Sequence, residues 1–144
     1  MAVLDALDKV CAAQQITADA VSANTIDNLA VTPKRNLATG TPMGYLVAIS
    51  AKGTTTGSSK IQAIQSAAAA LTSPQILGEI DLAAADHAVG KSFIVPVSEG
   101  IPALQFYGLN FDITGTVDYT VNAYFGAICD LAIQAETYAK GYSV

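Results

Sequence analysis

The sequence holds no tryptophan, one histidine, two cysteines and only 13% charged residues over 144 positions. Each scarcity excludes something. A typical soluble domain carries about 25% charged residues, so charge stands at roughly half its usual level. Seven Lys and Arg against twelve Asp and Glu leave a net charge of −5, and Lys34 and Arg35 are the only basic neighbours. A surface that neutralises phosphates needs a concentrated cationic footprint. Nucleic acid and membrane surfaces are therefore not expected partners. No run reaches the ~18 apolar residues of a membrane-spanning helix. Met1 to Asp5 lacks the positive charge of a secretory leader, so a cytoplasmic protein is expected. In that compartment Cys11 and Cys129 read as small buried hydrophobes rather than as a disulfide.

The same scarcity limits chemistry. His87 sits in Ala-Ala-Asp-His-Ala-Val-Gly and reads as a solvated loop residue. Asp86 cannot easily orient it, since sequence neighbours in extended chain point to opposite faces. One His and two distant Cys are a poor supply of zinc ligands. No nucleophile-elbow motif, phosphate-binding loop or dinucleotide fingerprint is present. Nothing in the spacing of the twelve acids selects a hydrolytic pair. The expectation is a non-enzyme with no catalytic residue, metal or cofactor.

What is present is 51% hydrophobic residues, with 26 alanines among them. The length suits one domain. Low charge with high hydropathy is the reverse of a disordered composition. A weakly charged surface is poorly protected against association, which suits a chain whose surface is covered by partners.

Along the chain, Val3, Leu4, Leu7 and Val10 fall at helical spacing, with Asp5 and Asp8 where a helix dipole favours them. Residues 3–14 read equally as an extended arm, because an isolated helix of that length is marginal. Thr25 to Leu29 reads as a short strand, and Pro33, Gly40 and Pro42 mark loop. From Met43 the pattern is β. Met43 to Ala51 is a nearly continuous apolar run, closed by the polar turn that starts at Lys52. Gln75 to Leu82 places Ile76, Gly78, Ile80 and Leu82 on one parity. Ser92 to Val97 is a strand. Ala103 to Ile113 switches parity, which predicts a bulge near Tyr107 and Gly108. Val117 to Cys129 alternates cleanly: Tyr119 belongs to the apolar face, and Tyr124 to the polar face, exposed or at an interface. Lys60 to Leu71 reads as an Ala-rich helix by propensity and as a strand by context. The tail from Asp130 has helix formers to Lys140 and a possible cap at Gly141.

The fold class is all-β: an antiparallel β-sandwich or jelly roll of about seven to eight strands, with an extended or short-helical N-terminal arm. The expected organisation is a single domain over residues 1–144. Residues 1–24 form the arm, 25–130 the sandwich and 131–144 the C-terminal tail.

The run Cys11-Ala-Ala-Gln-Gln-Ile-Thr-Ala-Asp-Ala-Val-Ser-Ala-Asn-Thr-Ile-Asp resembles the opening of the Bbp16-like capsid cement proteins of tailed phages. The likeness continues through Gly44 to Ile49, Ile61 to Ser66 and Leu71 to Pro74, and ends in Tyr138-Ala-Lys-Gly-Tyr142-Ser-Val. Cys11 and the alanines at 67–70 depart from the family pattern. The resemblance implies a β-sandwich or jelly roll on the outer capsid surface of a virion, made in the host cytoplasm. It resolves residues 60–66 toward strand. It implies the major capsid protein as partner, together with self-association, a homodimer ahead of a homotrimer, and it transfers no catalytic residue. The apolar arm and tail then become the expected contacts, through Val3, Leu4, Leu7, Val10, Ile16, Tyr124, Tyr138 and Tyr142. Deleting residues 2–14 is expected to abolish decoration and leave a folded oligomer. The alternative is a carbohydrate-binding or host-attachment module, which would want a planar aromatic cluster.

Overall fold

The computed structural model describes residues 9–27, 42–98 and 104–128. Its strands are β1 (Lys9–Ile16), β2 (Ala20–Val21), β3 (Ile26–Asp27), β4 (Met43–Lys52), β5 (Ser58–Ser66), β6 (Gln75–Leu82), β7 (Ser92–Val97), β8 (Phe106–Thr114) and β9 (Tyr119–Ala127). A 3₁₀ turn, Ala84–Asp86, lies in the β6–β7 connection.

Two antiparallel sheets face each other. The first has the order β1-β9-β4-β7 and the second β2-β8-β5-β6, with β3 also on β8. If β2 and β3 are taken as one interrupted strand, the pairs are first with last, second with next to last, and so inward. That is the pattern of a long hairpin wound into a sandwich, the jelly roll. The expected all-β sandwich is the observed fold.

The core lies between the sheets. The alternation in β9 puts Tyr119, Val121, Ala123 and Phe125 into it, opposite Tyr45, Val47 and Ile49 of β4 and facing Ile61, Ala63, Leu109 and Phe111 of the second sheet. Tyr45 and Phe125 rings meet at 5.1 Å. Leu46 and Ala48 alternate to the other side of β4 and are buried there too, which explains why that strand reads as a continuous apolar run. β5 is a strand despite its helical propensity. It lies between β8 and β6 with Ile61 and Ala63 in the core, and pairing on both sides outweighs the weak local preference.

Several expectations are corrected. Residues 9–16 are neither arm nor helix: β1 is the edge strand of the first sheet, paired to β9, so the sandwich begins well before residue 25. Val10 and Ile16, expected at an interface, are completely buried in the chain's own core. Bulges between Lys9 and Cys11 and between Cys11 and Gln14 break the strand's alternation, which disguised it. Ala13 occupies the left-handed region there (φ +48°), and its N–H donates to the Asn122 side chain at 2.9 Å. β8 has no bulge, and its register with β5 is unbroken from Thr114 to Phe106. Tyr107 takes the inward place and Phe106 faces out. The bulge lies instead on β6, where the register steps from Ala63–Gly78 to Ile64–Ile76. It leaves Leu77 in the core and turns Ile76 outward, away from the parity of Ile80 and Leu82. Residues 1–8 and the tail from Cys129 lie outside the described residues, and with them Val3, Leu4, Leu7, Tyr138 and Tyr142.

Candidate interaction surface

Among the described residues, His87 and Cys11 are both enclosed. His87 is buried, not solvated as expected, and its Nε2 hydrogen-bonds with the Ser59 hydroxyl. Nδ1 faces the Ala84 carbonyl at 3.4 Å. A carbonyl only accepts, so that contact requires a proton on Nδ1. The ring packs against Tyr119, itself in the core, at 4.8 Å and tilted by 50°. Asp86 is turned away: it accepts from the Ala83 N–H at 2.9 Å and lies 4.0 Å from Lys91. The pair therefore fastens the β6–β7 connection onto β5 from inside the core. Nearby, burial pushes the Cys11 thiol up to about 12, with a weaker opposing pull from the Ala23 backbone. Burial raises the Tyr119 phenol as well. Cys11 is a free thiol enclosed in the core, the small hydrophobe expected of it. Among the described residues no group of three or more His, Cys, Asp or Glu could hold a metal, and no helix is long and apolar enough to cross a membrane.

The outer faces of the two sheets are then the surfaces available to a partner, and they differ. On the first sheet, Leu46 is fully covered and Ala48 nearly so. Tyr124 stands half-buried at the margin, where Lys9 Nζ lies 5.3 Å from its ring centre. It is neither free in solvent nor part of the core. Tyr45, Tyr107 and Tyr119 are buried, so the described tyrosines build no planar platform of the kind a carbohydrate module needs.

The outer face of the second sheet is divided. One half is polar: Lys60 lies 3.7 Å from Glu79 and 3.9 Å from Asp81, and it faces Asp112 across the β5–β8 pair. Gln62 links Glu79 and Asn110 at 3.2 and 2.8 Å. A shallow hollow of about 330 Å³ opens beside Lys60, Asp81 and Asp112. The other half is apolar. Ile64 lies at its centre, flanked by Ile76 on β6 and Gly108 on β8. The β5–β6 connection folds back over it and buries Leu71 above Gly108. A Cβ on Gly108 would lie 2.5 Å from Leu71 Cδ1 and 2.7 Å from Ser22 Oγ, so a side chain there would push both of those side-chain ends aside. Ile76 remains 50% exposed and Val21 37%, with Leu104 also 37% exposed at the same end. None of these three was singled out from sequence. For Ile76 the available signal was the absence of charge between Lys60 and Glu79, an eighteen-residue stretch that takes in most of β5, the alanines and Ile76.

Residues 10–123 match the Bbp16 family, which covers most of the chain and all of its described strands except Lys9 at the start of β1 and the end of β9. No curated protein matches. The match extends from the first core residue of β1 to the inward Ala123 of β9, the two strands that close the jelly roll. This chain belongs to the Bbp16 family, a phage-type family.

Proposed function

We propose that the chain is a cement protein of a phage capsid: it binds the outer surface of the assembled shell as a homo-oligomer and bridges neighbouring capsomers. The family match carries this reading. The low surface charge supports it, since few solvated groups must be stripped of water when a subunit packs among neighbours. No catalysis is involved. A protein that binds only the assembled shell stabilises it by mass action, by about 2.7 kcal/mol per site when its free concentration is a hundredfold above Kd. Linked copies raise the effective concentration of the second contact, so opening a capsomer joint breaks both.

The test is co-sedimentation of the purified full chain with shells stripped of it, with stoichiometry measured. The expected result is saturation at a copy number commensurate with the capsid lattice, together with a higher shell disruption temperature. Absence of binding overturns the reading. Light scattering on the free chain distinguishes the homodimer, which we favour, from a homotrimer.

A further inference from the structure

We infer that the outer face of the second sheet, at the end formed by Ile76, Val21 and the Leu71 connection, is the surface that docks on the shell, and that the shell surface it meets is apolar with a basic border. The inference rests on the cement reading and adds to it the face and the chemistry of its partner.

Exposed large hydrophobics are rare among the described residues. They are Val21, Ile76, Val89 and Leu104. Two of these, Val21 and Ile76, stand at opposite edges of one sheet with β8 and β5 between them; Ile76 is in the Gly108–Ile64 row and Val21 in the adjoining Asn110–Gln62 row. Single exposed apolar residues need no explanation, but a contiguous group rimmed by polar residues marks a contact surface. Leu71 lies between them, and Ala67, Ala69, Ala70 and Pro74 are exposed around it.

This cover is built to keep its shape. Leu71 (φ +56°) and Ser73 (φ +48°) both occupy the left-handed region, a conformation that costs roughly 1–2 kcal/mol for each non-glycine residue. Ser66 Oγ holds the loop at both ends, accepting from the Ala68 N–H at 3.1 Å and donating to the Thr72 carbonyl at 2.5 Å. The Leu71 N–H donates to Ala68 at 3.0 Å. Strain kept in a loop of small exposed residues, pinned by its own hydrogen bonds, fits a surface that must be ordered before its partner arrives.

Charge selects the partner. Next to the apolar half stand Glu79, Asp81 and Asp112 against the single cation Lys60, in a chain otherwise poor in charge. Glu79 and Asp81 already share Lys60, so the face has acid to spare and no cation to offer. A second copy would bring the same excess of acid. A surface with Lys or Arg around an apolar centre complements both halves at once.

The test uses full-length chains with Ile76→Lys, the double variant Glu79→Gln with Asp81→Asn, and Val89→Lys in the β6–β7 connection, which lies off this face. Each is sedimented with stripped shells at 50 and 300 mM salt and weighed by light scattering. The expected result is at least tenfold weaker binding for Ile76→Lys, a flattened salt dependence for the double variant, and no change for Val89→Lys. Normal binding by Ile76→Lys while the parent chain binds shells overturns the docking face and leaves the cement reading standing. A parent oligomer that falls apart on Ile76→Lys makes this face a contact between copies, which also overturns it. Failure of the parent chain to bind overturns the cement reading itself.

Discussion

At the residue scale, burial gives Cys11 a property its sequence position does not show. The folded thiol keeps its proton to about 12, whereas an exposed thiol releases it near 9.0. A raised folded value means the stabilisation is complete below pH 9 and is lost as pH rises toward 12, at up to about 1.4 kcal/mol per pH unit. Urea titrations between pH 8 and 11 are expected to show this decline. In Cys11→Ala the fall starts later, where Tyr119, also raised by burial, begins to contribute. An unchanged profile in the variant would remove Cys11 as the cause. His87 carries a similar lesson. A lone histidine in a polar stretch reads as solvated, and its burial depends on Ser59, 28 positions earlier, turning inward from β5 to meet it.

At the scale of elements, the seams between the sheets depend on close backbone approach. A Cβ on Gly78 would lie 2.1 Å from the Pro96 carbonyl oxygen, where β6 of one sheet passes β7 of the other. Ser98 fastens the same seam, with its N–H donating to the Leu77 carbonyl at 2.9 Å and its hydroxyl to the same oxygen. Backbone cannot yield as a side chain can. Gly78→Ala is therefore expected to destabilise by about 3 kcal/mol or more, and Gly108→Ala, which displaces only the ends of Leu71 and Ser22, by about 1–2 kcal/mol. Thermal melts of both variants check the order, and protease susceptibility at residues 67–74 should rise in Gly108→Ala alone. β1 changes an earlier expectation as well. Removing residues 2–14 takes away Val10 and Cys11 and most of the strand that covers β9, so loss of the fold, not loss of decoration alone, is the expected outcome.

At the scale of the molecule, hydrogen bonds tie the two sheets at both flanks of the sandwich. Ser22 and Asn24 N–H groups donate to Leu109 and Val10 at 2.8 and 3.0 Å on one flank, and Ser98 to Leu77 closes the other. The four inner strands β4, β5, β8 and β9 are paired on both sides, whereas β2 and β3 are two residues each and paired on one. Hydrogen exchange is expected to be slowest in the inner four and fastest in β2 and β3. Equal protection throughout would contradict this hierarchy.

The sequence by itself determined the fold class and most strands. Gln75–Leu82 and Ser92–Val97 were legible to the residue in their bounds, although the alternation that marked the first misplaced Ile76. It also determined the charge deficit and the inward place of Tyr119. Only the tertiary structure decided what depends on register. Bulges at Cys11 and Leu77 reverse which side chains face inward, and one such reversal hid β1 and another turned Ile76 to the surface. The cover of Leu71 over Gly108 joins residues 37 apart in sequence, and the His87–Ser59 pair joins two separate elements. Alternation is local and survives in a linear string. Register, cover and closure arise where distant segments meet, and the string does not record which residues those will be.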